Sequence, residues 1–363
     1  MISTLVRWSV MGLDGSRRRI GRRAAAEICS TDPLPPSILV LMLTPDQIAQ
    51  RTARAVDAAA AAGRHLGLRV THPRVLYDVF SVIVHLAPAP VVVRVPTVLP
   101  RSYSASPARQ VAQQRAELSV AGWLADRGHP VVAPSPLVPR EPVRRDGFQM
   151  TFWNYVEEAP DVELSVGRRF ETTARLHAAL RDFDDTRLGF WTPFNDYIPD
   201  GLRDLEQRPD LLSAADCQRA QQEWLVLAPL IASRSDFTAA FPGAGVQTIH
   251  GDAPFYNLIC TAEGEMWSDF ELVTAGPVES DLAMAGAEGI AAYDESAARL
   301  GLRPSDPQLL RVTEAAAMLA ALACLGLAPQ LPMLVEALKP VVDQWRAAPS
   351  IAEVVASDNE HDD

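Results

Sequence analysis

Lysine is almost absent from this chain of 363 residues. Of the 33 basic side chains, Lys339 is the only lysine and all the others are arginines. The acidic side chains number 45, so the formal net charge is −12. This balance excludes a general nucleic-acid-binding protein, which needs a basic face to displace counterions from phosphates. It also excludes any mechanism that requires a lysine at a position other than 339.

Cysteines and long apolar runs are also scarce. The four cysteines are isolated from one another: Cys29, Cys217, Cys260 and Cys324. Without a C-x-x-C pair they support neither a disulfide framework nor a zinc site, and they indicate a reducing compartment, the cytoplasm. The longest apolar run, residues 315–328, is shorter than the roughly 20 residues that cross a bilayer. It predicts a buried helix, and we expect no membrane partner.

The ends of the chain differ in composition from its middle. Residues 1–43 combine arginines with a proline-rich turn, which predicts a poorly ordered N-terminal extension. Residues 351–363 carry four acidic side chains among their last six positions and predict a solvated acidic tail. Over the whole chain, 48% of the residues are hydrophobic, which is enough for a globular core, and the length predicts about two or three structural units.

The middle of the chain changes character near residue 153. A T-x-x-Q capping box at Thr44 predicts a helix start, and β-branched runs over 75–86, 91–95 and 148–156 predict strands. A helical pattern over 110–127 lies between them. Beyond Glu157 the patterns are mostly helical. The prediction is therefore an α+β fold with a β-rich part, 44–153, followed by a helical part, 154–350.

One segment carries the residues of a phosphoryl-transfer site. His250-Gly251-Asp252 is followed by Asn257, and Asp269-Phe270-Glu271 comes twelve residues after that asparagine. Transfer from ATP needs a carboxylate that orients the attacking hydroxyl and oxygen ligands that hold Mg²⁺ against the phosphates. The short apolar runs between Asn257 and Asp269 predict a β-hairpin that returns Asp269 beside Asn257.

Together with the stretch 276–283, these motifs resemble the aminoglycoside phosphotransferase family, which includes choline kinases. The resemblance implies a bilobal protein-kinase-like fold. It implies that Asp252 is the catalytic carboxylate and that Asn257 and Asp269 are Mg²⁺ ligands. It also implies that Asp281 braces the catalytic loop and that His250 fixes this loop by hydrogen bonding.

The first lobe matches the same family. Arg94 stands where the resemblance implies a basic residue that holds the nucleotide phosphates, and Glu117 stands where its acidic partner is expected. Because an arginine fork can bridge a phosphate and a carboxylate, an Arg94–Glu117 ion pair is predicted. Met150 and Phe152 lie in the stretch that resembles the connection between the lobes, where backbone groups meet adenine.

Two features depart from the family pattern. The loop around residues 78–81 has no glycine to cradle phosphates, and Ser81 is the residue there that offers a hydroxyl. Many members carry His-Pro-Gly before the asparagine, whereas this chain has Pro254, Phe255 and Tyr256.

The resemblance implies an ATP- and Mg²⁺-dependent phosphotransferase. The predicted acceptor is a small-molecule hydroxyl, on an aminoglycoside-like compound, an amino alcohol or a sugar. The alternative is a nucleotide-binding pseudokinase that serves as a regulatory module. Only eleven residues separate Asp269 from Asp281, which is too short for a protein-kinase activation segment. His177 is predicted to be a packing histidine rather than a ligand.

Overall fold

The computed structural model describes residues 42–159, 162–185 and 187–359. The predicted N-terminal extension, apart from its last two residues, and the last four residues of the acidic tail lie outside this part. The chain forms two compact units. The first comprises Thr44–Thr192 and Gly245–Asp306, and the described part of the second comprises 42–43, 193–244 and 307–359. Residue 153 lies inside the first unit, so the boundary between these two units does not test the division predicted there. That division stays a prediction.

The first unit begins with helix α1, Pro45–His65. Its predicted capping box is present: the Thr44 amide donates to Gln47 Oε1 at 2.8 Å, and the Gln47 amide donates to Thr44 Oγ1 at 3.3 Å. An alanine-rich face of this helix is buried in one core with the sheet that follows. Small side chains allow helix and sheet to approach closely. The alanines recur on one face of the helix, and that face is the buried one.

Five antiparallel strands form the sheet in the order β1-β2-β3-β5-β4. Their bounds are β1 Val70–Asp78, β2 Ser81–Pro88, β3 Val91–Pro96, β4 Val143–Arg145 and β5 Phe148–Asn154. On β3, Val91, Val93 and Val95 belong to the core shared with α1. Since successive side chains of a strand point to opposite faces, Arg94 projects from the other face of the sheet.

Two helices follow β3, the short α2, Arg101–Ser104, and α3, Pro107–Asp126. The Ser106 hydroxyl accepts a hydrogen bond from the Arg109 amide and caps α3, which starts three residues before the predicted position. Leu118, Ala121 and Leu124 pack into a second core. Glu117 is buried on the same helix, although a lone carboxylate would not be stable there without a partner.

The remainder of the first unit holds the segment around the predicted catalytic loop. Its elements are helix α4 (Val166–Leu180), strands β6 (Gln247–Ile249), β7 (Leu258–Thr261), β8 (Gly264–Trp267) and β9 (Thr274–Gly276), two 3-10 turns (Phe270–Leu272 and Val278–Asp281) and α8 (Gly286–Arg299). Helices α4 and α8 pack together, and β6 pairs with β9. This short ladder fixes the two ends of the segment that carries the site.

The second unit is helical. Its helices are α5 (Thr192–Glu206, whose first residue belongs to the first unit), α6 (Ala214–Ile231), α7 (Arg234–Ala240), α9 (Pro307–Cys324), α10 (Leu334–Ala337), α11 (Lys339–Ala347) and α12 (Ile351–Asn359). By length and composition alone, the helical stretch Pro307–Leu327 could cross a membrane, but 78% of its apolar window is buried inside the protein. Lys339 lies at the start of α11, and its Nζ bonds to Glu336 at 2.7 Å.

Candidate active site

The backbone of the loop after β6 is held by one buried carboxylate. Asp281 accepts hydrogen bonds from the His250 amide at 2.9 Å, from the Gly251 amide at 2.8 Å and from His177 Nε2 at 3.1 Å. Burial acts to raise the pKa of Asp281, but these hydrogen bonds outweigh it and keep the pKa below its usual range. Asp281 therefore connects the loop to α4, in the bracing position predicted for it.

His250 is fully buried, and both of its ring nitrogens are engaged. Nε2 donates to the Ser268 carbonyl at 3.0 Å, and Nδ1 accepts from the Asp252 amide at 3.3 Å. Its ring centroid lies 4.6 Å from that of Phe270. Burial lowers the pKa of His250, so the imidazole is neutral near pH 7. These contacts fit the predicted role of fixing the loop and leave no ring nitrogen to exchange a proton with substrate.

Gly251 is required by the path of the loop. Its φ angle is +85°, and a β-carbon at this position would lie 2.1 Å from the carbonyl oxygen of Leu272. Only glycine combines that backbone angle with so close an approach. The glycine of the His-Gly-Asp motif therefore lets the loop pass against the residues that follow Asp269.

The side chain of Asn257 turns back onto Asp252. Its Nδ2 donates to the Asp252 carbonyl at 2.8 Å and to Asp252 Oδ2 at 3.1 Å. Because the amide nitrogen makes both bonds, the amide oxygen of Asn257 is the atom that can face a cation. The Asn257 carbonyl accepts from the Ser268 amide at 2.8 Å, which ties the loop to the end of the hairpin.

The predicted hairpin is present and returns the chain to Asp269. Strands β7 and β8 pair from Leu258 opposite Trp267 to Thr261 opposite Gly264. Asp269 itself adopts a left-handed conformation, with φ +59° and ψ +58°. Among residues other than glycine, aspartate is one of the few that tolerate this region, and such strain is concentrated at functional sites.

The predicted ion pair between Arg94 and Glu117 is also present. Arg94 Nε donates to Glu117 Oε1 at 3.0 Å, and Arg94 Nη2 donates to Glu117 Oε2. Arg94 Nη1 donates to the Ser81 hydroxyl at 3.5 Å, so the structure brings this predicted phosphate contact to the same guanidinium. Burial raises the pKa of Glu117, and the charge of Arg94 opposes this shift.

Glu271, the second acid of the Asp-Phe-Glu motif, has no role predicted from the sequence. Its Oε2 lies 2.5 Å from Arg94 Nη1, and its carbonyl accepts from Gln113 Nε2 at 2.8 Å. Burial and the neighbouring Asp269 raise the pKa of Glu271. The sequence feature that could have identified Glu271 is its position two residues after the carboxylate of Asp269.

The charges fit a divalent cation. Three carboxylates (Glu117, Asp269 and Glu271) lie around the one guanidinium of Arg94, which leaves about two negative charges when all are ionised. The buried Oδ1 of Asp269 accepts no hydrogen bond from the described residues. Within those residues no three acidic, histidine or cysteine side chains already converge as a metal site. Mg²⁺ sites of phosphotransferases are completed by substrate phosphates and water, so this arrangement suits such an ion.

Two predicted nucleotide contacts lie in a different setting from the one expected. The side chains of Met150 and Phe152 are buried in the core shared with α1, and the Phe152 carbonyl accepts from the Ser135 amide at 3.0 Å. Strand β5 continues to Asn154, so the chain leaves the sheet only at Tyr155. Met150 and Phe152 therefore lie within the strand, and both the predicted connection and an adenine contact by either residue stay predictions.

His177 behaves as a packing residue. It is fully buried, and its Nδ1 lies 2.9 Å from the Tyr293 hydroxyl while Nε2 bonds to Asp281. Both ring nitrogens of His177 therefore contact buried groups of the protein, as expected for a packing histidine.

Comparison with known proteins adds to this geometry. The model of the phosphotransferase enzyme family (APH) matches residues 39–313. Choline kinase LicA from Streptococcus pneumoniae is 13% identical over 82% of this chain and 99% of its own, with a TM-score of 0.55. Amicoumacin kinase hAmiN, solved with AMP-PNP, Ca²⁺ and Ami, is 13% identical over 85% and 97%, with a TM-score of 0.51.

Aminoglycoside phosphotransferase APH(3'')-Id from Streptomyces rimosus is 20% identical over 75% of this chain and 95% of its own, with a TM-score of 0.45. No curated protein sequence matches the chain. At these identities, the first two structures show a shared fold, and they confirm the predicted α+β kinase-like class.

Proposed function

Because the chain belongs to the phosphotransferase enzyme family, we propose that it transfers the γ-phosphoryl group of ATP to a hydroxyl group of a small molecule, with Mg²⁺ as the metal. The observation that carries this proposal is the meeting of Asp252 and Asn257 on one loop, with a 3.1 Å hydrogen bond between their side chains. This is the pairing of a hydroxyl-orienting carboxylate with a metal-ligating amide that phosphoryl transfer requires.

Each residue has a distinct task in this proposal. Asp252 orients the acceptor hydroxyl and accepts its proton at a carboxylate oxygen. Asn257 and Asp269 hold Mg²⁺, which when bound offsets the charge of the β and γ phosphates. Arg94, kept in place by Glu117, binds phosphate oxygens. Positioning and charge neutralisation supply most of the rate in such a reaction.

The acceptor is proposed to be a small hydroxyl compound that also carries an amine. The net charge of −12 favours a cationic acceptor over an anionic one. The structures with the same fold are named for choline and amicoumacin. An amino alcohol or aminoglycoside-like compound is therefore the first class to screen, and sugars the second. The isolated cysteines support action in the cytoplasm.

An ADP-release screen over choline-like amines, aminoglycosides and sugars tests this function. With a productive acceptor, Asp252→Asn should lower kcat by about 10²- to 10⁴-fold, because the carboxylate that takes the proton is lost. ADP binding should stay within about three-fold of wild type, a change well under 1.4 kcal/mol. Asp182→Asn, at an exposed carboxylate of the same unit, is the matched control. Turnover by Asp252→Asn at the wild-type rate would show that the role is wrong.

Two observations favour the pseudokinase alternative: the loop around residues 78–81 has no glycine to cradle phosphates, and Glu271 contacts the Arg94 nitrogen that bonds to Ser81. A module of this kind would bind nucleotide and turn over no acceptor. Thermal unfolding with ATP, with and without Mg²⁺, measures binding separately from the ADP-release screen. Stabilisation by ATP without ADP release across all acceptor classes would favour the module.

A further inference from the structure

Arg94 has more partners than its phosphate-binding role requires. We propose that Glu271 is an internal competitor for this arginine: its carboxylate occupies the Nη1 donor that a nucleotide phosphate needs, and it must move away before phosphate binds. This inference rests on the proposed use of a nucleotide at Arg94. It makes Glu271 a residue that sets nucleotide affinity and links that affinity to the metal.

The donors of Arg94 show why competition arises. A guanidinium has five N–H groups in one plane. Four hydrogen bonds occupy four of these groups: Nε and Nη2 each bond to Glu117, and Nη1 bonds to Glu271 and to Ser81. A phosphate binds best to two parallel N–H groups, and only one remains. One of the present partners must therefore yield.

Glu271 is the partner that has to yield. The Ser81 contact is long, at 3.5 Å, but losing it alone would leave the negative charge of Glu271 beside the negative phosphate. The Glu117 side chain is 1% exposed and bonds to Arg94 through both oxygens, so removing it would leave a buried charge unpaired. The Glu271 side chain is 24% exposed and uses one oxygen. Its backbone is fixed by the bond from Gln113 and by buried Phe270 and Leu272, so the side chain can move without its loop.

The local charges link this movement to a cation. When Glu271 leaves Arg94, its carboxylate loses its nearest positive charge, while the Asp269 carboxylate, two residues earlier, keeps Arg94 Nε at 3.9 Å. A divalent cation near Asp269 compensates for that loss, because it offers more charge than the guanidinium did. Metal should therefore assist phosphate in displacing Glu271, and without metal the competitor should suppress nucleotide binding.

ADP binding by calorimetry tests the proposal, first in EDTA and then in Mg²⁺. Glu271→Gln removes the charge, whereas Glu271→Asp keeps the charge but shortens the side chain, so its carboxylate no longer reaches Nη1. In EDTA both variants should bind ADP more tightly than wild type, by about ten-fold for the glutamine variant, which corresponds to about 1.4 kcal/mol. In Mg²⁺ the gap should narrow to within about two-fold, since metal already displaces Glu271. Glu265, on β8, forms a comparable pair with Arg168 of α4. Glu265→Gln breaks that pair and should not alter ADP affinity.

The possible results separate three explanations. If Glu271→Gln tightens ADP binding but Glu271→Asp does not, charge alone acts and the competition is wrong. If neither variant tightens binding, the competition is also wrong, while nucleotide use stands. If wild type and variants bind no ADP in either buffer, the proposed function itself is contradicted. Near-ultraviolet circular dichroism identifies a variant that has not folded, and the other variant then decides the result.

Discussion

Replacing Gly251 by alanine perturbs the closest backbone approach in the candidate site. The added β-carbon would lie 2.1 Å from the Leu272 carbonyl oxygen, where non-bonded atoms normally stay about 3.5 Å apart. The backbone at Gly251 or Leu272 would therefore have to move by about an ångström. Because Asp252 is the next residue and Leu272 follows Glu271, both sides of the site would shift.

The free-energy cost of this variant has two parts. A left-handed backbone angle costs a non-glycine residue about 1–2 kcal/mol. Overpacking against a fixed backbone costs about 1–3 kcal/mol more. Gly67→Ala separates them, because Gly67 has nearly the same φ, +88°, but its β-carbon would meet no atom within 4 Å. We expect Gly67→Ala to lower the free energy of unfolding by about 1–2 kcal/mol and Gly251→Ala by about 2–5 kcal/mol.

Urea unfolding of the two variants measures this difference, and an ADP-release assay measures its effect on turnover. Gly251→Ala should lose most of its activity, whereas Gly67→Ala, in the loop after α1, should keep it. Equal losses of unfolding free energy in the two variants would refute the steric part of the reasoning. Full activity in Gly251→Ala would refute the claim that the loop path positions Asp252.

Two further predictions concern the same unit. Arg94→Ala should raise the KM for ATP by about ten-fold or more, and Arg94→Lys should give an intermediate KM, since it keeps the charge but lacks the planar fork; equal KM values for Arg94→Lys and wild type would show that charge suffices. For His250, burial lowers the pKa in the folded protein. As the pH falls below about 6.5, the histidine of the unfolded chain therefore takes up a proton before that of the folded protein, and the free energy of unfolding drops by up to about 1.4 kcal/mol per pH unit. Urea unfolding at pH 7.0 and 5.5 should therefore show a larger loss in wild type than in His250→Gln, and equal losses would contradict this account.

Most of the candidate site could be predicted because its signals are local in sequence. The capping box at Thr44 spans four residues, and the hairpin that carries Asp269 follows directly from Asn257. Ordered motifs within one short segment indicated the family and the kinase-like fold, and the family model and the structural match confirm both. The Arg94–Glu117 pair, which the family resemblance implied, extends this success to a separation of 23 residues.

The remainder depends on contacts that no local pattern contains. Glu271 meets Arg94 across 177 residues of sequence, and only the assembled first unit brings the two together. Strand β5, predicted over 148–156, ends at Asn154, and residues 133–135 from the loop after α3 pair with its last three residues. No pattern within Met150–Trp153 reveals that pairing.

The near absence of lysine determines which reagents can reach this protein. Amine-selective probes that acylate a lysine beside bound phosphates find no nucleophile at position 94, because a guanidinium stays protonated. Lys339 is 60% exposed at the start of α11 in the second unit. Apart from the amino terminus it is the one amine in the chain, so a fluorophore or crosslinker attached there reports from a single defined point and leaves the candidate active site chemically intact.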